Sequence, residues 1–214
     1  MDLSRVDVLA ACAAVAGVWM CGVISLRSML WGLAVQTALL GLLVLAHGRE
    51  VHAAHYTLLA GVVITVKAAV IPLFLGWIAG RIEVLRDRGT GLHPSLALFV
   101  GCAALAAGYF LAPWVKGTLS RDSGAAGMAL ALVLIGMLLM LTRRLAISQV
   151  MGFLVLENGI FLYALTQTSG MPLIVEMGVV FDVLVGVMVC GLVIFRLNRS
   201  FEHVDVTKLT GLKR

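Results

Sequence analysis

"QVMGFLVLENGIFLYAL", residues 149–165, is almost wholly apolar, yet a carboxylate and an amide, Glu157 and Asn158, stand side by side near its centre. A helix needs about 20 apolar residues to cross a bilayer. Inside lipid, an acid at its middle has no water to solvate it. The fold therefore turns on whether the rest of the chain is built for lipid, and composition says that it is. Of 214 residues, 61% are hydrophobic and 13% charged, and mean hydropathy is +1.06. A soluble domain is about 45–50% apolar and roughly a quarter charged. The pattern is that of an all-α, polytopic transmembrane bundle, one compact body without a second soluble domain.

Seven stretches are long and apolar enough to span: residues 8–25, 29–47, 57–78, 95–115, 125–142, 145–165 and 172–195. Continuous apolar character favours helices, because barrel strands alternate every second residue. Only Arg143 and Arg144 separate the fifth span from the sixth. "LAAC" at residues 9–12 imitates a lipoprotein cleavage box, but too few apolar residues precede it for a signal peptide. The N-terminal stretch is expected to remain as a first span.

The net charge of +5 comes from basic residues scattered between the apolar runs, which argues against a nucleic-acid surface. They encode orientation instead. Arg27, Arg81, Arg86, Arg88, Arg143, Arg144, Arg196, Arg199, Lys208, Lys213 and Arg214 fall after the odd-numbered spans. Arg5, Arg49, Lys116 and Arg121 fall on the other face. Eleven against four predicts a cytoplasmic C-terminus and an outside N-terminus. Trp31, Trp77 and Trp114 sit near predicted span ends, where amphipathic rings collect. Ala13 and Gly17 could let the first helix pack closely on a neighbour.

Metal and redox chemistry find little support. Cys12, Cys21, Cys102 and Cys190 lie inside apolar runs and form no CxxC pair. "HGREVHAAH", residues 47–55, holds three histidines without a recognisable ligand pattern and reads as an interfacial cluster. No paired Ser/His or Asp/Asp constellation suggests an intramembrane protease.

Three ionisable residues stand near the centres of their spans: Lys67 in the third, Glu157 in the sixth and Asp182 in the seventh. Each costs about 2.5–3.5 kcal/mol at mid-helix on the insertion scale. Residues so placed face the bundle interior or a wet cavity and mark ion or proton paths. The alternative is a buried ion pair, Lys67 with either acid, that only locks helices together. Six residues join the last two spans, which makes them antiparallel neighbours with Glu157 and Asp182 at similar depth. Burial favours the neutral form of an acid and a nearby ammonium the charged form. Such opposed effects can hold an acid where it loads and unloads a proton.

Glu176, about 9 Å along the helix from Asp182 and about 120° round it, is either a fourth member of the path or a solvated interfacial acid. Pro72, five residues after Lys67, leaves the carbonyl of Ala68 without a helix partner and predicts a kink. Gln36 and Asn158 are placed to bridge helices by hydrogen bonds or to hold water in the path.

"VKAAVIP" in the third span, "GFLVLENGIFL" in the sixth, "PLIVEMGVVFDVLVGVMV" in the seventh and the closing "VDVTKLTGLKR" together resemble the E component of hydrogenase-4. That family supplies a membrane subunit to formate-hydrogenlyase-type complexes. The last three helices also resemble the K subunit of respiratory complex I and the C subunit of Mrp-type antiporters. Asp182, followed by Gly186, falls where that K family carries the acid of its final helix. The K family's earlier glutamate falls at Leu154, whereas this chain carries Glu157 nearly one turn on. The resemblance divides the chain into a five-helix part (1–142), two K-like helices (143–196) and a cytoplasmic tail (197–214).

It implies a non-catalytic subunit of a nickel–iron hydrogenase assembly in the plasma (inner) membrane, without a cofactor of its own. Other membrane and peripheral subunits, antiporter-like ones among them, would be its partners. Protons would pass through Glu157 and Asp182, with Lys67 modulating their charge. Two rivals are a purely structural linker and a self-contained ion transporter.

Overall fold

A computed structural model describes residues 5–51, 55–81, 91–115 and 123–167. These belong to the first of two compact units, Met1–Gly178; the second, Val179–Arg214, lies outside the described residues, as does the predicted seventh span. Helices account for nearly all of the described chain: α1 (Arg5–Gly22), α2 (Leu26–Val51), α3 (His55–Val62), a π-helical segment (Val63–Val70), α4 (Ile71–Arg81), α5 (Pro94–Val115), α6 (Ser123–Thr142) and α7 (Ala146–Gln167). There is no β-strand among the described residues. Segment α3, the π-helix and α4 run on as one span, so six stretches among the described residues are long and apolar enough to cross a membrane. They match the first six predicted spans to within a few residues.

The chain's exterior confirms the reading from composition. Phe99, Phe110 and Trp114 on α5 are 71%, 75% and 87% exposed. Leu58 and Leu73 project likewise from the third span. Water would penalise such a surface, whereas lipid accepts it without cost. This is a multi-pass membrane protein. Trp31 and Trp77 are also outward-facing.

Helix α1 is central, packing on α2, α5 and α6, while α7 lies along α6 and also touches α2. The third span packs on α2. Ala13 and Gly17 are buried, as their spacing predicts. A Cβ on Gly17 would stand 3.2 Å from Leu132 and 3.4 Å from Ile135 of α6, and 3.3 Å from Gln36 of α2.

Short contacts gather the links after the first, third and fifth spans at one end of the bundle. The amide of Gly91, just before α5, donates to the Thr142 carbonyl at 2.8 Å. Arg143, just after α6, donates from Nη2 to the carbonyls of Met20 and Cys21 at 3.0 and 2.9 Å. Its place between spans predicts a loop charge, yet Arg143 is buried and caps the carboxyl end of α1. That cap accounts for α1 ending at Gly22, three residues short of the predicted 25. A helix terminus exposes carbonyls that need donors, and a guanidinium also complements the negative end of the dipole. Arg143→Gln is expected to cost about 1.5–3 kcal/mol, the range for hydrogen bonds to a charged group. Arg144→Gln, at an exposed position, should stay within about 0.5 kcal/mol of the parent. Unfolding of the purified chain in detergent checks both, and equal stabilities would remove the cap from the argument.

Candidate functional site

The acid at the centre of the opening stretch has a partner. Lys67 Nζ donates to Glu157 Oε1 at 2.5 Å, joining residues 90 positions apart in the chain. Lys67 is 9% exposed and Glu157 4%. The Lys67 ammonium also lies 5.8 Å from the centre of the Phe161 ring, within reach of a cation–π attraction. Phe161 is one turn beyond Glu157 on α7, so a single face of that helix supplies both the carboxylate and the ring.

The third span presents Lys67 from its π-helical segment, with Val63 and Lys67 as the buried residues there. Pro72 was expected to kink this span. Eight residues of π-helix, Val63–Val70, precede it. Proline withholds a backbone donor and crowds the preceding turn, and a switch to i→i+5 bonding is one way to redistribute the carbonyls that this strands. Such segments are rare and gather at functional sites.

Asn158 faces a different neighbour. Its Nδ2 donates to Thr37 Oγ1 of α2 at 3.1 Å, and the Thr37 hydroxyl donates to the Leu33 carbonyl at 2.8 Å. Successive helix residues differ by about 100° in direction. A helix lying between two neighbours can therefore give its acid to one and its amide to the next, which is what the Glu157-Asn158 doublet does. Gln36, adjacent to Thr37, turns the other way and donates from Nε2 to the Ala13 carbonyl of α1 at 3.4 Å. Gln36, Thr37 and Asn158 are all buried. Gln36 and Asn158 thus bridge helices, and Thr37 is a partner that the sequence does not announce. Threonine in an apolar helix commonly bonds its own backbone, and nothing in the sequence distinguishes this one.

A small cavity lies beside the pair, lined by Leu33, Thr37, Lys67, Ile71, Leu154 and Asn158. Leu154 lines it from one turn before Glu157. Positions 154 and 157 accordingly share the face of α7 that looks toward Lys67. Asp182 and Glu176, and with them the expected approach of Asp182 to Glu157, lie outside the described residues.

An α-helical, multi-pass membrane protein with an ion pair buried between its third and sixth spans is the class that fold and site define. The chain belongs to the same family as the uncharacterized protein Rv0085 of Mycobacterium tuberculosis, with which it is 37% identical over 153 residues, 71% of this chain and 70% of that protein. It is also similar to Hydrogenase-4 component E of Escherichia coli and of Shigella flexneri, at 25% identity over 148 residues, 69% of this chain and 68% of each relative. No family model matches the chain. No solved structure matches it.

Proposed function

We propose that this chain is a membrane subunit of a hydrogenase-4-type complex in the plasma (inner) membrane, and that Lys67 and Glu157 belong to a proton path coupled to hydrogen metabolism. The similarity to Hydrogenase-4 component E supports the membership. One observation supports the path: a lysine and a glutamate, each expensive inside an apolar span, meet at 2.5 Å in the bundle interior. An acid held this way is ready to take up a proton whenever the pair opens. Asp182 and Glu176 of the seventh span would continue the path. The nickel–iron chemistry would belong to peripheral subunits, with antiporter-like membrane subunits alongside, and the cytoplasmic tail would dock on one of these partners.

The same short contact favours a second reading, in which the pair only fastens the third span to the sixth. Glu157→Gln, examined in the whole complex reconstituted into liposomes, separates the two. On the relay reading, proton translocation falls about a hundredfold, the lower end of what losing a positioned proton-transfer group costs, while hydrogen turnover by the peripheral subunits continues. Undiminished translocation per electron in an assembled variant complex leaves only the fastening role.

A further inference from the structure

The Glu157 carboxylate meets Lys67 only while α7 is turned toward the third span, and an ammonium–carboxylate contact does not by itself fix that turn. Lysine is a compact charge on a flexible four-carbon stem with three rotatable donors, so its attraction to an acid is satisfied over a range of angles. A hydrogen bond between two short side chains is more demanding, because it weakens steeply as it departs from linearity. Such a bond stands one residue along α7, where Asn158 Nδ2 donates to Thr37 Oγ1 at 3.1 Å. Thr37 is itself held: its hydroxyl donates to the Leu33 carbonyl of its own helix at 2.8 Å, which fixes where its lone pairs point. Both residues are buried, so solvent does not compete for the bond.

We infer that the Asn158–Thr37 bond sets the rotation of α7, and that Asn158 and Thr37 are the positioning residues of the Lys67–Glu157 pair. Side chains of an α-helix end about 5–6 Å from its axis, so a turn of about 30° carries a carboxylate about 3 Å. That is more than the 2.5 Å of the contact itself. Neighbouring contacts carry the same alignment through the bundle. Gln36, beside Thr37 on α2, donates to the Ala13 carbonyl of α1, so α2 is keyed to α1 as α7 is to α2. Gly159, directly after Asn158, lets α7 approach the α6 backbone closely, yet it offers no side chain that could resist a turn. The glycine sets how near α7 comes, and the amide sets which way it faces. Selecting one arrangement among several is the best-attested use of a buried polar residue.

The positioning role stands on the hydrogen bonds alone, while its consequence for translocation rests on the proton-path reading. The test is infrared spectroscopy of the full chain in lipid nanodiscs, with the Glu157 carboxylate band identified by its loss in Glu157→Gln. Thr37→Val keeps the outline of threonine without the acceptor, and Thr37→Ser keeps the acceptor. The band is expected to broaden and shift in Thr37→Val, as the pair spreads over several geometries, and to return in Thr37→Ser. A bond that only fastens helices would lower stability and leave the band of the folded variant where it was; that result overturns the inference. Should Thr37→Val fail to insert, the double variant Thr37→Val, Asn158→Leu strands neither partner and carries the same expectation. In the reconstituted complex Thr37→Val should slow translocation about tenfold, the effect of one lost hydrogen bond on a rate, and Thr37→Ser should restore it. Unaltered translocation in a complex whose band has moved overturns the consequence for transport. A band that behaves as expected, beside a Glu157→Gln complex that still translocates, overturns the proton path and leaves the positioning role standing.

Discussion

Lys67→Met is expected to destabilise the chain more than Lys67→Met and Glu157→Gln combined. Removing one member of a buried pair strands the other charge and typically costs about 3–5 kcal/mol. Replacing both members by well-packed hydrophobic residues of similar volume is often neutral or stabilising by about 1–4 kcal/mol; glutamine, an uncharged amide, gives up part of that gain but avoids the larger cost of a lone buried charge. Lipid sharpens this contrast, because each charge at mid-helix already costs about 2.5–3.5 kcal/mol to insert. Methionine follows the lysine stem closely, and glutamine keeps the outline of glutamate, so packing around Phe161 and Val63 is preserved. Unfolding in mixed detergent micelles is the measurement. A double variant as unstable as the single would show that the pair is worth more than its separate desolvation costs. A single variant as stable as the parent would show that Glu157 finds other solvation. The relay and the fastening readings both require a buried pair, so this result tests the geometry beneath either.

How much of this could be read from the chain differs from residue to residue. The apolar runs determine the spans because lipid leaves the backbone no alternative to satisfying itself within a helix. Lys67 and Glu157 are conspicuous for the same reason. Their pairing is not legible: with two acids available, Lys67 could have met either, and the choice depends on how α7 is turned against the third span. Pro72 announces a disturbance there, but i→i+5 bonding and a simple kink suit the same residues equally well. Arg143 illustrates the converse. In sequence it is one more charge between spans, and only the place where α1 ends turns it into a cap. Thr37 is silent in sequence, since a hydroxyl that can bond its own helix carries no sign of a partner in another. Asp182 and Glu176 remain known from sequence alone.

The seam between α6 and α7 supplies the other large expected effect, because three glycines there leave room for backbone and for nothing else. A Cβ on Gly159 would stand 2.7 Å from the Val133 amide nitrogen and 2.8 Å from the Ala129 carbonyl oxygen. On Gly152 it would stand 2.9 Å from Leu139 and from the Met140 nitrogen, and on Gly136 it would press on the Leu156 backbone. Interfaces between helices in lipid are enriched in small residues, which let backbones approach and pack closely. Here the obstructing atoms belong to the opposite backbone, which cannot rotate away as a side chain can. Gly159→Val is therefore expected at or beyond the upper end of the roughly 1–3 kcal/mol that overpacking costs. It also acts on the site. Gly159 follows Asn158 directly, and pushing α7 off α6 displaces Glu157 from Lys67 and Asn158 from Thr37. Gly80→Ala is the control, since a Cβ there meets nothing within 4 Å, and alanine raises helix propensity by about 1 kcal/mol. Detergent unfolding and the yield of membrane-inserted chain give the comparison. If Gly159→Val matches the control in both, the close approach of α6 and α7 does not hold in the membrane, and the placement of Glu157 that depends on it fails as well.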